Sequence, residues 1–146
     1  MRELKFRALE LDVGRFVLGY YVAEHGYYMN NGAPDLNKPV VRHYIIGDSG
    51  KHDVCEDTVC QFTGLKDING VEIYEGDIVK VNYFNGSKSK DHVEFVEFKD
   101  GKFDLTWTIN KLFKSFRSRS CFHGHPDAFE VVGNIYENPE LLKAAN

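Results

Sequence analysis

Apolar and polar residues alternate with a period of two through most of this chain, and short glycine-containing steps separate the alternating stretches. The pattern is clear over residues 4–8, resumes over residues 16–22 and is cleanest over residues 103–109. Successive side chains of a β-strand point to opposite faces of a sheet, so this alternation is typical of half-buried strands. We therefore expect an all-β protein with one or two short helices.

In the N-terminal part the pattern predicts a hairpin, an irregular loop and a further strand. The hairpin turn is expected at residues 12–14, between two alternating stretches. Residues 24–39 contain two glycines, three asparagines and two prolines. This composition predicts a long irregular connection, with the tyrosines and methionine of residues 27–29 folded back onto an apolar surface. A strand over residues 40–46 follows and ends in a turn at residues 47–50.

The C-terminal part is expected to contain more strands and two short helices. The apolar positions of residues 93–98 change face, which a β-bulge near Phe95 and Val96 would explain. Apolar residues at i, i+3, i+4 and i+7 predict a short amphipathic helix over residues 109–116. A strand over residues 129–136, interrupted at a glycine, and a final helical turn after an Asn-Pro-Glu step are expected next.

Charge and composition exclude several classes of protein. The formal net charge of -4 comes from 8 basic and 10 acidic side chains in residues 1–70, and from 10 basic and 12 acidic ones in residues 71–146. Neither half is therefore a general binder of polyanions. Three cysteines, together with the lack of an export signal or membrane-spanning stretch in the sequence, predict reduced thiols and a cytoplasmic location.

Three segments of the sequence together resemble the YopX family of phage and prophage proteins. They are residues 1–8, residues 61–79 and residues 130–142. The most specific part of the second segment reads Gln61-Phe62-Thr63-Gly64-Leu65-Lys66-Asp67-Ile68-Asn69-Gly70. The chain departs from the family pattern at Leu9, where a tryptophan is common, and in a long insertion over residues 26–39.

The resemblance implies an architecture and an origin rather than an activity. It implies one YopX-like domain over residues 1–146, with an N-terminal β-hairpin lobe over residues 1–58. Residues 59–146 are then expected to form a small SH3-like barrel followed by a C-terminal helical turn. The family supplies no catalytic residue that could be assigned to this chain, and we predict neither a catalytic residue nor a cofactor.

The residues of the resemblance have a physical reading as turn chemistry. Glycine reaches backbone angles that other residues adopt only at a cost of about 1 kcal/mol or more, and a short carboxylate caps nearby amides. The predicted structural motif consists of Gly64, Asp67, Asn69, Gly70, Tyr74, Glu75, Gly76, Asp77, Gly133 and Asn134. The alternative is that Tyr74, Glu75 and Asp77 line a functional site.

Cysteine and histidine residues suggest two further chemistries, neither of which has a complete signature. The soft ligands of a zinc site are present as His52, Cys55, Cys60, Cys121, His123 and His125. Four residues separate the first two cysteines, whereas a zinc knuckle requires two. Cys121 and His123 could pair as nucleophile and base, but no recognisable motif surrounds them. The simpler interpretations are that the unpaired cysteines are small buried apolar residues, and that Cys121 and His123 lie in a loop with polar side chains.

A basic segment supplies the alternative function. Lys111, Lys114, Arg117 and Arg119 lie near Trp107, with no acidic residue between Asp104 and Asp127. Such a segment can follow phosphates while aromatic rings stack on bases. The simpler interpretation is an amphipathic helix with a solvated charged side.

Taken together, the sequence predicts a non-enzymatic accessory protein of phage or prophage origin in the cytoplasm of a bacterial host. It is expected to act through protein–protein contacts and to associate with a second copy of itself, since small barrels often place aromatic residues in interfaces. The alternative is a small β-barrel that binds nucleic acid weakly through the basic segment. No membrane partner is predicted.

Overall fold

The computed structural model describes residues 3–85, 88–106 and 129–144, which form ten strands and two short helical segments. The elements are β1 (Phe6–Leu9), β2 (Phe16–Asn30), β3 (Ala33–Gly47), β4 (Gly50–Asp53), a 3₁₀ helix (Glu56–Thr58), β5 (Cys60–Lys66), β6 (Glu72–Tyr74), β7 (Asp77–Asn85), β8 (Lys88–Lys99), β9 (Lys102–Thr106), β10 (Phe129–Asn134) and α1 (Leu141–Ala144).

The strands form two antiparallel sheets. The six-stranded sheet has the order β4-β3-β2-β1-β5-β6, and the four-stranded sheet has the order β10-β7-β8-β9. The prediction of a mainly β protein is therefore confirmed. Within the described ranges the four-stranded sheet is open, with β10 and β9 at its edges, and no closed SH3-like barrel is detected.

The chain divides into two compact units, residues 1–61 and residues 62–146. The first unit has a small apolar core built from Ala8, Val17, Ile45 and Val54. The predicted opening hairpin is present, since β1 pairs with the start of β2 from Phe6↔Gly19 to Leu9↔Phe16. The predicted turn between β3 and β4 is present as well, at Asp48 and Ser49.

The expected irregular connection over residues 24–39 is wrong, because this stretch forms a long hairpin. Asn31 and Gly32 have φ angles of 49° and 82°, and they make the two-residue turn between β2 and β3. Positive φ at both central positions suits the right-handed twist of the flanking strands. Of the residues that predicted a loop, Asn31 and Gly32 form the turn, and the others lie in the two strands of the ribbon.

A bulge in β3 absorbs the remaining irregularity of that stretch. Tyr27 pairs with Pro39 and Tyr28 pairs with Asp35, so residues 36–38 are extra on the β3 side. We call residues 24–42 the arm. All of its residues in β2 are exposed, and in β3 only Asp35 and Val40 are half-buried.

The second unit packs its sheet around Ile73, Val79, Val81, Val96 and Phe129. The expected bulge near Phe95 is wrong, since β8 pairs with both neighbours in continuous register at that point. The apolar positions change face because both faces of β8 are covered there: Val96 is buried and Phe95 is half-buried.

Two predictions for the C-terminal part are confirmed. The interruption of β10 near its glycine is confirmed as a register shift between Val131 and Gly133. The final helical turn is confirmed as the four-residue α1. The helix predicted over residues 109–116 lies outside the described residues.

Candidate functional site

Asp67 joins the first turn of the predicted structural motif to a strand that is distant in sequence. Its side chain is buried, with 5% exposure. One carboxylate oxygen accepts hydrogen bonds from the backbone N–H groups of Asn69 and Val71, both at 2.8 Å, and so closes the turn between β5 and β6. The other oxygen accepts the N–H of Val131 in β10 at 2.9 Å.

These bonds set the charge state of Asp67. Burial alone would raise the pKa of this carboxyl, but the three backbone N–H groups, with that of Val131 contributing most, outweigh burial and lower the pKa. The ionised carboxylate is therefore the form that fits, because it offers acceptors to every donor around it. The turn residue Gly70, at φ 82°, donates its own N–H to the Asp67 carbonyl at 3.0 Å.

Gly76 and Asp77 organise the second turn of the motif. Asp77 is 1% exposed, and its carboxylate accepts the N–H of Tyr74 at 2.7 Å. Gly76 has φ 77°, donates its N–H to the Val96 carbonyl at 2.8 Å, and accepts the N–H of Ile135 at 2.9 Å. A residue in the left-handed region thus connects β8 to the segment after β10, and glycine reaches that region without strain.

The other motif residues also hold backbone or pack internally. Asn134 is buried, and its side-chain oxygen accepts the N–H groups of Tyr136 and Glu137. Glu75 accepts the N–H of Phe98 at 3.3 Å. The Tyr74 hydroxyl, on a ring that is only 3% exposed, donates to Glu72.

Two glycines complete the motif. Gly64 lies at φ 88° within the irregular stretch of β5. A Cβ on Gly133 would lie 2.6 Å from the side-chain oxygen of Asn138, so a larger residue does not fit without a shift. Of the three members proposed to line a site, Tyr74 and Asp77 are buried and Glu75 is half-buried. The motif polar groups described above bond within the chain. The geometry favours the structural interpretation.

The candidate zinc and nucleophile residues are only partly described. Cys60 is fully buried and its thiol donates to the Thr58 carbonyl at 3.2 Å, while Cys55 is half-buried. In the part of the chain that the structure describes, no three His, Cys, Asp or Glu residues are placed to hold a metal ion. Cys121, His123 and His125 lie outside that part, so the zinc and Cys-His hypotheses stay untested.

His52 belongs instead to a polar chain in the first unit that sequence reasoning missed. Its Nδ1 lies 2.7 Å from a carboxylate oxygen of Glu10, and its Nε2 lies 2.8 Å from the Ser49 hydroxyl. The hydrogen bond with His52 lowers the pKa of Glu10, the ion pair with Arg15 at 3.1 Å adds to it, and burial opposes it. Hydroxyl, imidazole and carboxylate stand in the order of a serine nucleophile and its base.

The arm carries exposed apolar side chains, so the expectation that residues 27–29 fold back onto an apolar surface is wrong. Tyr27 is 46% exposed, Met29 54% and Val41 44%. The alternation of β2 places Tyr27 and Met29 on the face that carries the buried Val17 and the half-buried Tyr21 near the base of the strand. The signal that could have found the arm is the Asn31-Gly32 step, which favours a two-residue hairpin turn.

The residues proposed for nucleic-acid contact, Trp107, Lys111, Lys114, Arg117 and Arg119, lie outside the described residues, and that interpretation stays a prediction. A separate finding concerns membranes. Within residues 3–85, 88–106 and 129–144, no helix is long and apolar enough to cross a bilayer.

Comparison with known proteins gives a family and a structural likeness. The family model described as YopX protein matches residues 19–143. Among solved structures, the chain is similar to protein EF1440 from Enterococcus faecalis, with 25% sequence identity and a TM-score of 0.51 over 97% of this chain and 99% of that one. No curated protein matches the sequence. Because the family model spans well over half of its residues, the chain belongs to the YopX family.

Proposed function

We propose that this protein is a phage- or prophage-derived accessory protein of the bacterial cytoplasm that acts through protein–protein contacts, associates with itself and catalyses no reaction. The observation that supports this proposal most directly is the arm. A two-stranded ribbon is at best marginally stable alone in water, and this ribbon holds Tyr27, Tyr28 and Met29 about half exposed.

Exposed apolar surface of this kind is characteristic of interaction sites. Scattered apolar residues on a protein surface are ordinary, but Tyr27 and Met29 share one face of a single ribbon, and tyrosine and methionine are enriched in interface cores. The motif residues also support a protein without catalysis, since their polar groups hydrogen-bond to the backbone of the same chain. The family implies a small SH3-like barrel, and we include that barrel in the proposal. The described strands themselves form an open four-stranded sheet.

The experiment that tests self-association is light scattering on the purified full chain over a range of concentrations. We expect a mass above that of one 16.7 kDa chain that rises with concentration. A strict monomer at every concentration contradicts self-association.

The absence of catalysis needs its own test, because Ser49, His52 and Glu10 are arranged in the order of a nucleophile, a base and an orienting acid. Treatment with a fluorophosphonate probe is expected to leave the protein unlabelled, as Ser49 lies in an exposed two-residue turn. Labelling that disappears in Ser49→Ala and drops in His52→Ala would contradict the proposal and assign an acyl-transfer site.

A further inference from the structure

We propose that two copies of this chain associate by antiparallel pairing of the outer edges of their β2 strands over residues 24–30, an inference that rests on the proposed self-association and assigns its surface. The resulting arrangement is a four-stranded sheet of two arms, with the order β3-β2-β2-β3.

The outer edge of β2 is long and open among the described residues. β1 pairs with β2 only from Phe16 to Gly19, and from Tyr20 onward no described strand lies on that side. No proline occurs between Tyr20 and Asn30, so every residue of this stretch has a backbone N–H. An edge of this kind is a ready template for another strand.

The opposite edge of the arm is blunted. β3 contains Pro34 and Pro39, which have no N–H to donate, and the extra residues 36–38 break its regular spacing. β4 already covers the base of β3 from Tyr44 to Gly47. Prolines and bulges are the devices by which proteins protect an edge from pairing. The arm thus has one protected edge and one open edge.

A second copy is the occupant that satisfies the open edge. Antiparallel pairing of two identical strands is two-fold symmetric, so each copy offers the donors and acceptors that the other needs. The symmetry axis stands perpendicular to the sheet, and the same face of both arms therefore points to the same side. Tyr27 and Met29 of each copy then contribute to one apolar surface.

Charge favours this pairing and selects its register. The arm contains Glu24, Asp35, Lys38 and Arg42, so its formal charge is zero in a chain of net charge -4. Glu24 lies opposite Arg42 and also bonds Lys51 at 2.6 Å. A register centred on Tyr27 pairs all seven residues of the stretch and sets Gly26 opposite Tyr28. It also sets Glu24 opposite Asn30, so the two Glu24 carboxylates stay apart. This separation matters because like charges directly opposite one another are destabilising.

The pairing also explains how an exposed ribbon is stabilised. Two strands alone form a marginal unit, and independent stability requires three or more strands with an apolar face, a number that the paired arms exceed. The paired stretch is short, about 23 Å for seven residues at 3.3 Å each. We therefore expect a reversible dimer rather than an obligate one, in line with interfaces at the small end of the size range.

The test is a charge exchange at Tyr27, the residue that faces its own copy across the proposed axis. Tyr27→Lys and Tyr27→Glu each place two like charges opposite one another, so each variant alone is expected to weaken dimerisation at least tenfold. Mixing the two variants is expected to restore a heterodimer, because lysine then faces glutamate. Sedimentation velocity measures the association, and circular dichroism checks that each variant is folded.

The matched control is Leu36→Lys. Leu36 is the more exposed residue, at 69% against 46% for Tyr27, and it lies in the bulge of β3, away from the open edge. Its variant is expected to dimerise like the natural chain. If the natural chain self-associates but the Tyr27 variants are unaffected, or their mixture stays monomeric, the edge pairing is overturned while the proposed function stands. A monomeric natural chain overturns both.

Discussion

Two turns of this protein have the same Asn-Gly sequence but lie in different surroundings. Asn69-Gly70 is closed by the buried Asp67 carboxylate, which also bonds Val131 of β10, 64 residues away in sequence. The turn at Asn31-Gly32 joins the two paired strands of its own ribbon. The first turn ties strands of one unit together, whereas the second leaves an exposed arm. The sequence of a turn alone therefore does not show whether the turn stabilises the fold or ends an exposed ribbon.

The largest expected effect is that of Asp67→Ala. Three backbone N–H groups, two in the turn and one in β10, lose a charged acceptor in a buried place. We expect a loss of about 3–5 kcal/mol in the free energy of unfolding, given the cost of unsatisfied buried donors. Urea denaturation measures it.

The matched control in the arm is Asp35→Ala. Asp35 also accepts a backbone N–H, that of Asn37 at 3.1 Å, but this bond is local and exposed. Its loss should cost about 0.5 kcal/mol. Equal costs at the two aspartates would remove the distinction between the turns.

Asp67→Asn should cost less, about 2 kcal/mol, because the amide oxygen still accepts two of the three N–H groups while the amide NH₂ meets a donor. The variant should also change the pH dependence of stability. The pKa of Asp67 is lowered in the folded chain, so its stabilisation is present above the ordinary value of 3.8 and is lost as pH falls through the lowered pKa. Natural protein should therefore lose more stability than Asp67→Asn between about pH 5 and pH 2. Parallel pH profiles would contradict the role of the ionised carboxylate.

The sequence allowed the strands to be predicted where one face is buried, because burial imposes a period of two. It predicted the opening hairpin and β9 for this reason, and the interruption of β10 from the glycine in that strand. It failed in the arm, since both faces there are exposed and no alternation marks the strands. It also failed at Phe95 and Val96, where both faces are covered.

The contacts of the candidate site divide in the same way. The capping role of a short carboxylate beside Asn-Gly follows from local chemistry. The bond from Val131 to Asp67 and the polar chain through His52 depend on which strands become neighbours, and no local pattern contains that information.

The two units should also differ in their response to alanine at positive-φ glycines. Gly76→Ala is expected to cost about 2 kcal/mol, because strain at φ 77° adds to weakened backbone bonds with Val96 and Ile135. Gly32→Ala is expected to cost about 1 kcal/mol, since a Cβ there meets no atom within 4 Å and only the conformational strain remains. Thermal unfolding of the two variants ranks them. A larger loss for Gly32→Ala would mean that the arm, rather than the motif, limits stability.

The smallest expected effect is that of Met29→Ala, and it decides whether the arm packs on its own chain. Met29 is 54% exposed, so at concentrations where the chain is monomeric its truncation should change the free energy of unfolding by less than about 0.5 kcal/mol. Ile73→Ala, in the core of the second unit, should cost about 2–5 kcal/mol under the same conditions. A loss of 2 kcal/mol or more at Met29 would show that the methionine is buried in the monomer. The exposed face would then be an internal contact, and neither the contrast between the two turns nor the pairing of the arms would survive it.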